Sequence, residues 1–283
     1  MGIARIASAI AAIAMMAGMS ACADTADMGG QSSTIAGGAS ASAPSSSSTD
    51  AQTSPSAKPA SPQSSAAPAS DATMLSSWSN DIAPNYYKVT GKAVLPDDPV
   101  AAGTVDYQGI DGLGRTGYAH GNLTYGMYEK SAGWRAKFDA DVSGVSGWYA
   151  DGRSNNHETT IALANGRSYR GYFYNRSHLI ADSLGGASSR KNIITGTRTQ
   201  NVGDNSANPG GMAFTETEVR NLFKANHGVT VLYYVNPIYF GNEIVARGTT
   251  VDVRSSDGSI DQHVVVWNYA NGHAIDYNTG RWS

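Results

Sequence analysis

Tyr169-Arg170-Gly171-Tyr172-Phe173-Tyr174-Asn175-Arg176-Ser177-His178, then Lys191-Asn192-Ile193-Ile194-Thr195-Gly196, then Asn201: the reading of these three pieces decides the fold. The first is aromatic-rich and reads as a strand running to His178, and the second is a short β-branched strand. Leu184-Gly185-Gly186 lies between them as a loop, and a helix is expected to begin around Asn201. The pattern is therefore strand, loop, strand, helix within about 35 residues. From Arg167 to Asn201 the chain carries Arg167, Arg170, Arg176, Arg190, Lys191 and Arg198 against Asp182 alone. Such a local excess of positive charge predicts contact with an anion.

Moving outward, Val229 to Tyr239 and Glu243 to Val253 are β-branched and aromatic runs joined by Gly241-Asn242, which predicts a hairpin. His263 to Tyr269 predicts a further strand. Thr215 followed by Glu216, Glu218, Val219, Leu222 and Phe223 has a capping residue, early acids and apolar spacing of three and four, as a helix requires. Asp139 to Gly152 reads as loop or turn. The sum is an α+β domain built on an antiparallel sheet. All aromatic residues lie from Trp78 onward, so residues 78–283 are expected to form the domain. Within it, 18 Lys and Arg stand against 19 Asp and Glu. That near-neutral balance excludes a protein that coats nucleic acid, and leaves room for one that needs only local phosphate contacts.

The preceding residues differ in kind. Residues 1–21 read as an export signal: Arg5, then an apolar stretch from Ile6 to Met19 too short to span a bilayer. Met19-Ser20-Ala21-Cys22 resembles a bacterial lipobox, with Met19 where Leu is usual; the resemblance implies that Cys22 is lipidated and that the protein is exported and anchored to the outer face of the bacterial cell membrane. Cys22 is the only cysteine, so stability must come from packing or a bound metal. Residues 22–77, rich in Ser, Ala and Pro and free of aromatics, are expected to be a disordered tether.

The residue types around His178 suit phosphodiester hydrolysis. A neutral imidazole can take a proton from water, a hard cation accepts an amide oxygen among its ligands, and arginines clamp phosphate. Asn175-Arg176-Ser177-His178-Leu179-Ile180 resembles the signature of the DNA/RNA non-specific endonucleases of the ββα-metal (His-Me finger) superfamily, whose commonest form is Asp-Arg-Gly-His. The Asn-Arg-Ser-His form is similar to that of streptodornase-like secreted DNases. Asn192 and Asn201, nine apart, continue the resemblance, which runs from about Asp111 to the C-terminus. It implies a Mg²⁺-dependent endonuclease, with Mn²⁺ able to substitute, acting on DNA and possibly RNA. His178 would be the general base and Asn201 the metal ligand. Arg176 would contact phosphate, its alternative being a sheet-edge salt bridge. Asn192 would hold either the site or the phosphate. Glu216 would orient metal-bound water, unless Glu218 fills that place or both are ordinary helix N-terminal acids. Arg115 and Arg198 would bind substrate, with Arg115 otherwise a surface arginine. His120, His157, His227, His263 and His273 show no metal-ligand spacing, and Trp134 and Trp148 are expected to pack in the core rather than stack on bases. The competing reading is an inert surface lipoprotein binding extracellular nucleic acid or a host ligand. The sequence is silent on any inhibitor protein.

Overall fold

The computed structural model describes residues 69–133, 136–164, 166–204 and 209–283. Cys22, the export signal, most of the expected tether, and Trp134 lie outside the described residues.

The chain opens with α1 (Ala69–Leu75) and β1 (Tyr87–Gly91), then β2 (Thr104–Tyr107), β3 (Ala119–Thr124) and α2 (Tyr125–Ser131). Short hairpins follow: β4 (Tyr149–Ala150) with β5 (Arg153–Ser154), β6 (Glu158–Ala162) with β7 (Ser168–Tyr172), and β8 (Tyr174–His178) with β9 (Ile193–Thr197). Then come α3 (Arg198–Val202), α4 (Ala213–Ala225), β10 (Thr230–Ile238), β11 (Gly248–Ser255) and β12 (Asp261–Trp267). The main sheet is six-stranded in the order β1-β12-β11-β10-β3-β2, and every pairing in it is antiparallel. The α+β architecture with an antiparallel sheet is as expected.

Both faces of this sheet are covered, which explains why Val264 to Trp267 is an unbroken apolar run rather than an alternating one. Val264 and Val266 point to a core shared with Val219 and Phe223 of α4 and with Leu179, Ile180, Leu184 and Ile194 around the β8–β9 hairpin. Val265 and Trp267 point the other way, onto Leu75, Ala83 and Ile238. The functional hairpin is thus docked on the sheet by its own apolar residues.

Four boundaries depart from the sequence reading. Residues 69–77, expected as tether, are part of the folded body: Leu75 is fully buried, and the Trp267 indole N–H donates to the carbonyls of Met74 and Ser77 (3.1 and 2.9 Å). The strand expected from Tyr169 through His178 is two strands in two separate hairpins. The break falls at Phe173, whose N–H turns to the carbonyl of His157 and whose carbonyl accepts from Arg198 N–H. β11 begins at Gly248, not Glu243, because residues 243–247 are held elsewhere: Ile244 and Val245 N–H donate to Tyr277 O, and Glu243 pairs with Arg247. Finally, α4 starts at Ala213, so Thr215 is inside it. The Thr215 hydroxyl hydrogen-bonds the Tyr233 hydroxyl (2.8 Å) rather than capping the helix.

Candidate active site

β8, β9 and α3 form a strand–strand–helix finger. β8 and β9 pair antiparallel from Tyr174↔Thr197 to His178↔Ile193. Thr197 ends β9 and caps α3, its hydroxyl accepting from Gln200 N–H (2.9 Å), so the chain turns from strand into helix without an intervening loop. Asn268, just past β12, ties this corner to the main sheet. Its Nδ2 donates to Thr195 O (3.0 Å) and Ala246 O (2.8 Å), and its Oδ1 accepts from Thr197 N–H (2.7 Å). The loop from β8 to β9 is drawn tight by Asn192. That side chain is fully buried, donates to Ile180 O and Ala187 O (both 2.8 Å), and accepts from Ile180 N–H (3.0 Å). Gly186 packs so closely on Ile180 O that a Cβ would fall 1.8 Å from that oxygen. Of the two roles left to Asn192, these bonds belong to holding the site.

Alternate residues of a strand face opposite ways. Arg176 and His178 share one face of β8, where Phe138 lies. The Phe138 ring stacks on the His178 imidazole (centroids 5.4 Å, 24°), and the Arg176 guanidinium stands over Phe138 (5.8 Å) and Trp148 (4.6 Å). Arg176 makes no ion pair among the described residues, and its Nε is buried without a hydrogen-bond acceptor. The alternative of a sheet-edge salt bridge is therefore not realised. A guanidinium held by aromatic faces keeps its in-plane donors for an anion.

The opposite face of β8 meets α3. Ser177 is fully buried and its hydroxyl donates to Asn201 Oδ1 (3.1 Å). Asn201 thus reaches the strand at the residue immediately before His178. It is 7% exposed, and its Nδ2 is buried with no hydrogen-bond partner. Amide oxygen and nitrogen are interchangeable by rotation, so this orphaned edge can equally present oxygen. One buried amide oxygen, with phosphate and water completing the shell, fits a hard divalent cation such as Mg²⁺. Among the described residues there is no cluster of three or more His, Cys, Asp or Glu suited to a metal.

The two candidate acids part company on α4. Glu216 pairs with Arg220 (3.5 Å), and Arg220 also bonds the Ser183 hydroxyl (3.0 Å) in the loop just after His178. Burial raises the Glu216 carboxyl above the ordinary range, against the pull of Arg220. Glu218 faces the sheet edge instead, hydrogen-bonded to Gln262 of β12, and burial raises it as well. Arg115 is neither a free surface residue nor aimed at the finger. Its Nε donates to Asp111 (2.7 Å), its Nη1 to the carbonyls of Gly241 and Glu243 (2.8 and 3.3 Å), and it lies over Tyr239 (4.8 Å). These bonds join the loop after β2 to the loop after β10. Arg198, first residue of α3, stacks over Tyr169 (4.8 Å), and burial lowers its pKa.

The chain is 34% identical over 223 residues to a deoxyribonuclease of Streptococcus dysgalactiae subsp. equisimilis, a match spanning 70% of this chain and 67% of that protein. The model of the DNA/RNA non-specific endonuclease family matches residues 134–257, which contain the whole finger. The chain belongs to the DNA/RNA non-specific endonuclease family. The solved structure of Sda1 nuclease with bound zinc superposes on this endonuclease with a TM-score of 0.67 at 38% identity, covering 72% of this chain and 98% of that one. NucA from Streptococcus agalactiae with magnesium bound shares the fold, with a TM-score of 0.52 at 21% identity over 68% of this chain and 83% of that one.

Three parts of the endonuclease site escape a reading of the sequence. Asn268 sits in a strand-end run where nothing distinguishes a clamp from a turn residue. Phe138 and Trp148 carry no motif, and only their distances to Arg176 and His178 reveal them. Trp148 is 5% exposed, so its expected core packing holds, but the face it offers Arg176 is a second role.

Proposed function

We propose that this endonuclease hydrolyses phosphodiester bonds of DNA, with RNA as a further substrate, using Mg²⁺, for which Mn²⁺ can substitute. The observation that carries the reading is the finger itself. Arg176 and His178 lie on one strand, and the buried, half-satisfied amide of Asn201 is tied to the residue between them. His178 takes the proton from the attacking water. The water oxygen bonds to phosphorus, the bond to the sugar oxygen breaks, and that oxygen leaves with a proton, giving a phosphomonoester and a hydroxyl. Arg176 holds the phosphate by its in-plane donors. Asn201 holds the cation; when bound, the cation neutralises charge building on the phosphate and leaving oxygen. Of the two acids on α4 we assign the orienting of metal-bound water to Glu216, whose partner Arg220 bonds Ser183. Arg198 extends the basic surround, while Asn192 and Arg115 brace it. We further propose that residues 1–21 direct export and that lipidated Cys22 anchors the mature chain to the outer face of the cell membrane.

Supercoiled plasmid incubated with the purified protein tests the reaction. Nicking and linearisation are expected with Mg²⁺ and none with a chelator. Retardation of the plasmid without cleavage in both conditions would establish the inert nucleic-acid-binding lipoprotein instead.

A further inference from the structure

The commonest form of the family motif has glycine where this chain has Ser177. Here the serine hydroxyl has work that a glycine cannot do. Ser177 lies on β8 between Arg176 and His178, fully buried, with its Oγ 3.1 Å from Oδ1 of Asn201. The gap between β8 and α3 is narrow at this point. A Cβ on Gly196, which pairs with Asn175 in the hairpin, would fall 2.8 Å from the Ser177 Cβ and 2.2 Å from Gln200 Oε1. The hydroxyl therefore has little freedom to seek another partner. Gln200, fully buried in the same gap, has both amide atoms without hydrogen-bond partners.

In the orientation described, Asn201 Oδ1 faces Ser177 and Nδ2 is the orphan. A buried donor left unsatisfied is destabilising. Rotating the amide by half a turn exchanges the two atoms at little steric cost, because the terminal torsion is soft. Nδ2 then donates to Ser177 Oγ, and the oxygen takes the place of the orphan. A hydroxyl both donates and accepts, so Ser177 can satisfy Asn201 in either orientation. Only one of the two offers oxygen to a cation.

We propose that Ser177 is a positioning residue that keeps Nδ2 of Asn201 satisfied, by accepting from it, when Oδ1 turns to the divalent cation. This rests on the reading of Asn201 as the metal ligand. An ionised aspartate at that position has no N–H for Ser177 to satisfy, which separates the two ideas.

The test is a Mn²⁺ titration of the whole protein without substrate, with free ion followed by electron paramagnetic resonance. Asn201→Ala is expected to abolish measurable binding. Ser177→Ala and Ser177→Gly are each expected to weaken it about fivefold, the worth of one net hydrogen bond. In an Asn201→Asp background, Ser177→Ala is expected to change affinity by less than about twofold. Melting curves without metal identify any variant that fails to fold, and the alanine and glycine replacements give two independent chances of a folded one. Unchanged affinity in both Ser177 variants, with binding lost in Asn201→Ala, overturns the positioning role alone. So does an equal loss in the Asn201→Asp background. Unchanged affinity in Asn201→Ala overturns the ligand assignment and this proposal with it.

Discussion

His178 is buried, paired through its backbone to Ile193 and covered on one ring face by Phe138. As the proposed base, His178 would gain its effect from orientation, and Arg176 on the same strand face is the proposed phosphate contact. The two roles should therefore separate on mutation. His178→Ala is expected to lower the rate of DNA cleavage at saturating Mg²⁺ by at least about 10²-fold, the usual worth of a general base. DNA affinity should stay within about twofold, since the phosphate contacts come from arginines. Single-turnover rates and filter binding on the same preparations measure both. Cleavage at the wild-type rate would remove His178 from the reaction. The Asn-Arg-Ser-His string made His178 and Arg176 legible because polar residues at a buried strand end demand explanation. Asn192 was only half legible, since a buried amide serves a backbone or a ligand equally well until its partners are seen.

Among the elements, those with strong periodic apolar patterns were read correctly in kind: β10, β12 and α4 each carry enough buried side chains to announce themselves. Their edges were misread where tertiary contacts decide them, as at Thr215 and at residues 243–247. β2 and α1 gave no signal. The first is four half-exposed residues, and the second sits in Ser- and Ala-rich sequence whose helicity depends on docking. What docks α1 is partly electrostatic. His263 on β12 lies between Asp252 (Nδ1 to Oδ1, 2.6 Å) and Asp71 of α1 (Nε2 to Oδ2, 3.3 Å), and the Asp252 hydrogen bond is the foremost cause raising its pKa above the ordinary histidine value. A raised folded-state pKa means that the folded protein holds this proton more tightly than the unfolded chain does. The contribution to stability is then complete below the unfolded-state value, about 6.5, and is lost as pH rises through the higher folded-state value. Melting temperature should accordingly decline from pH 6 upward in the wild type, and His263→Gln should flatten that decline. Parallel melting profiles for the two proteins would show that His263 carries no such linkage.

At the scale of the whole chain, the proposed export signal and tether precede a folded body whose described residues begin at Ala69. Composition alone puts the start of the body at Trp78, where the aromatics begin, but folding is decided by what is buried. A chain beginning at residue 78 lacks Leu75, worth about 1.5–3 kcal/mol of burial. It also lacks the two carbonyls that receive the Trp267 indole and the Asp71 partner of His263. For a body of this size each kcal/mol moves the melting temperature by about 2–4 °C, so the 78–283 chain is expected to melt roughly 5–10 °C below the 69–283 chain. α1 carries no proposed site residue and packs on β12 and Ile238, so the shorter chain, where folded, should still cut DNA. The 69–283 chain should match the whole mature protein in both melting temperature and specific activity on plasmid, because the residues it omits hold none of the proposed site. What it should lose is place: the intact chain is expected in the membrane fraction of cells and Cys22→Ser outside it or unprocessed, with activity following the protein. Equal melting temperatures for the 69–283 and 78–283 chains would return the boundary to Trp78. A normally processed Cys22→Ser protein that stays with the membrane would refute the lipid anchor.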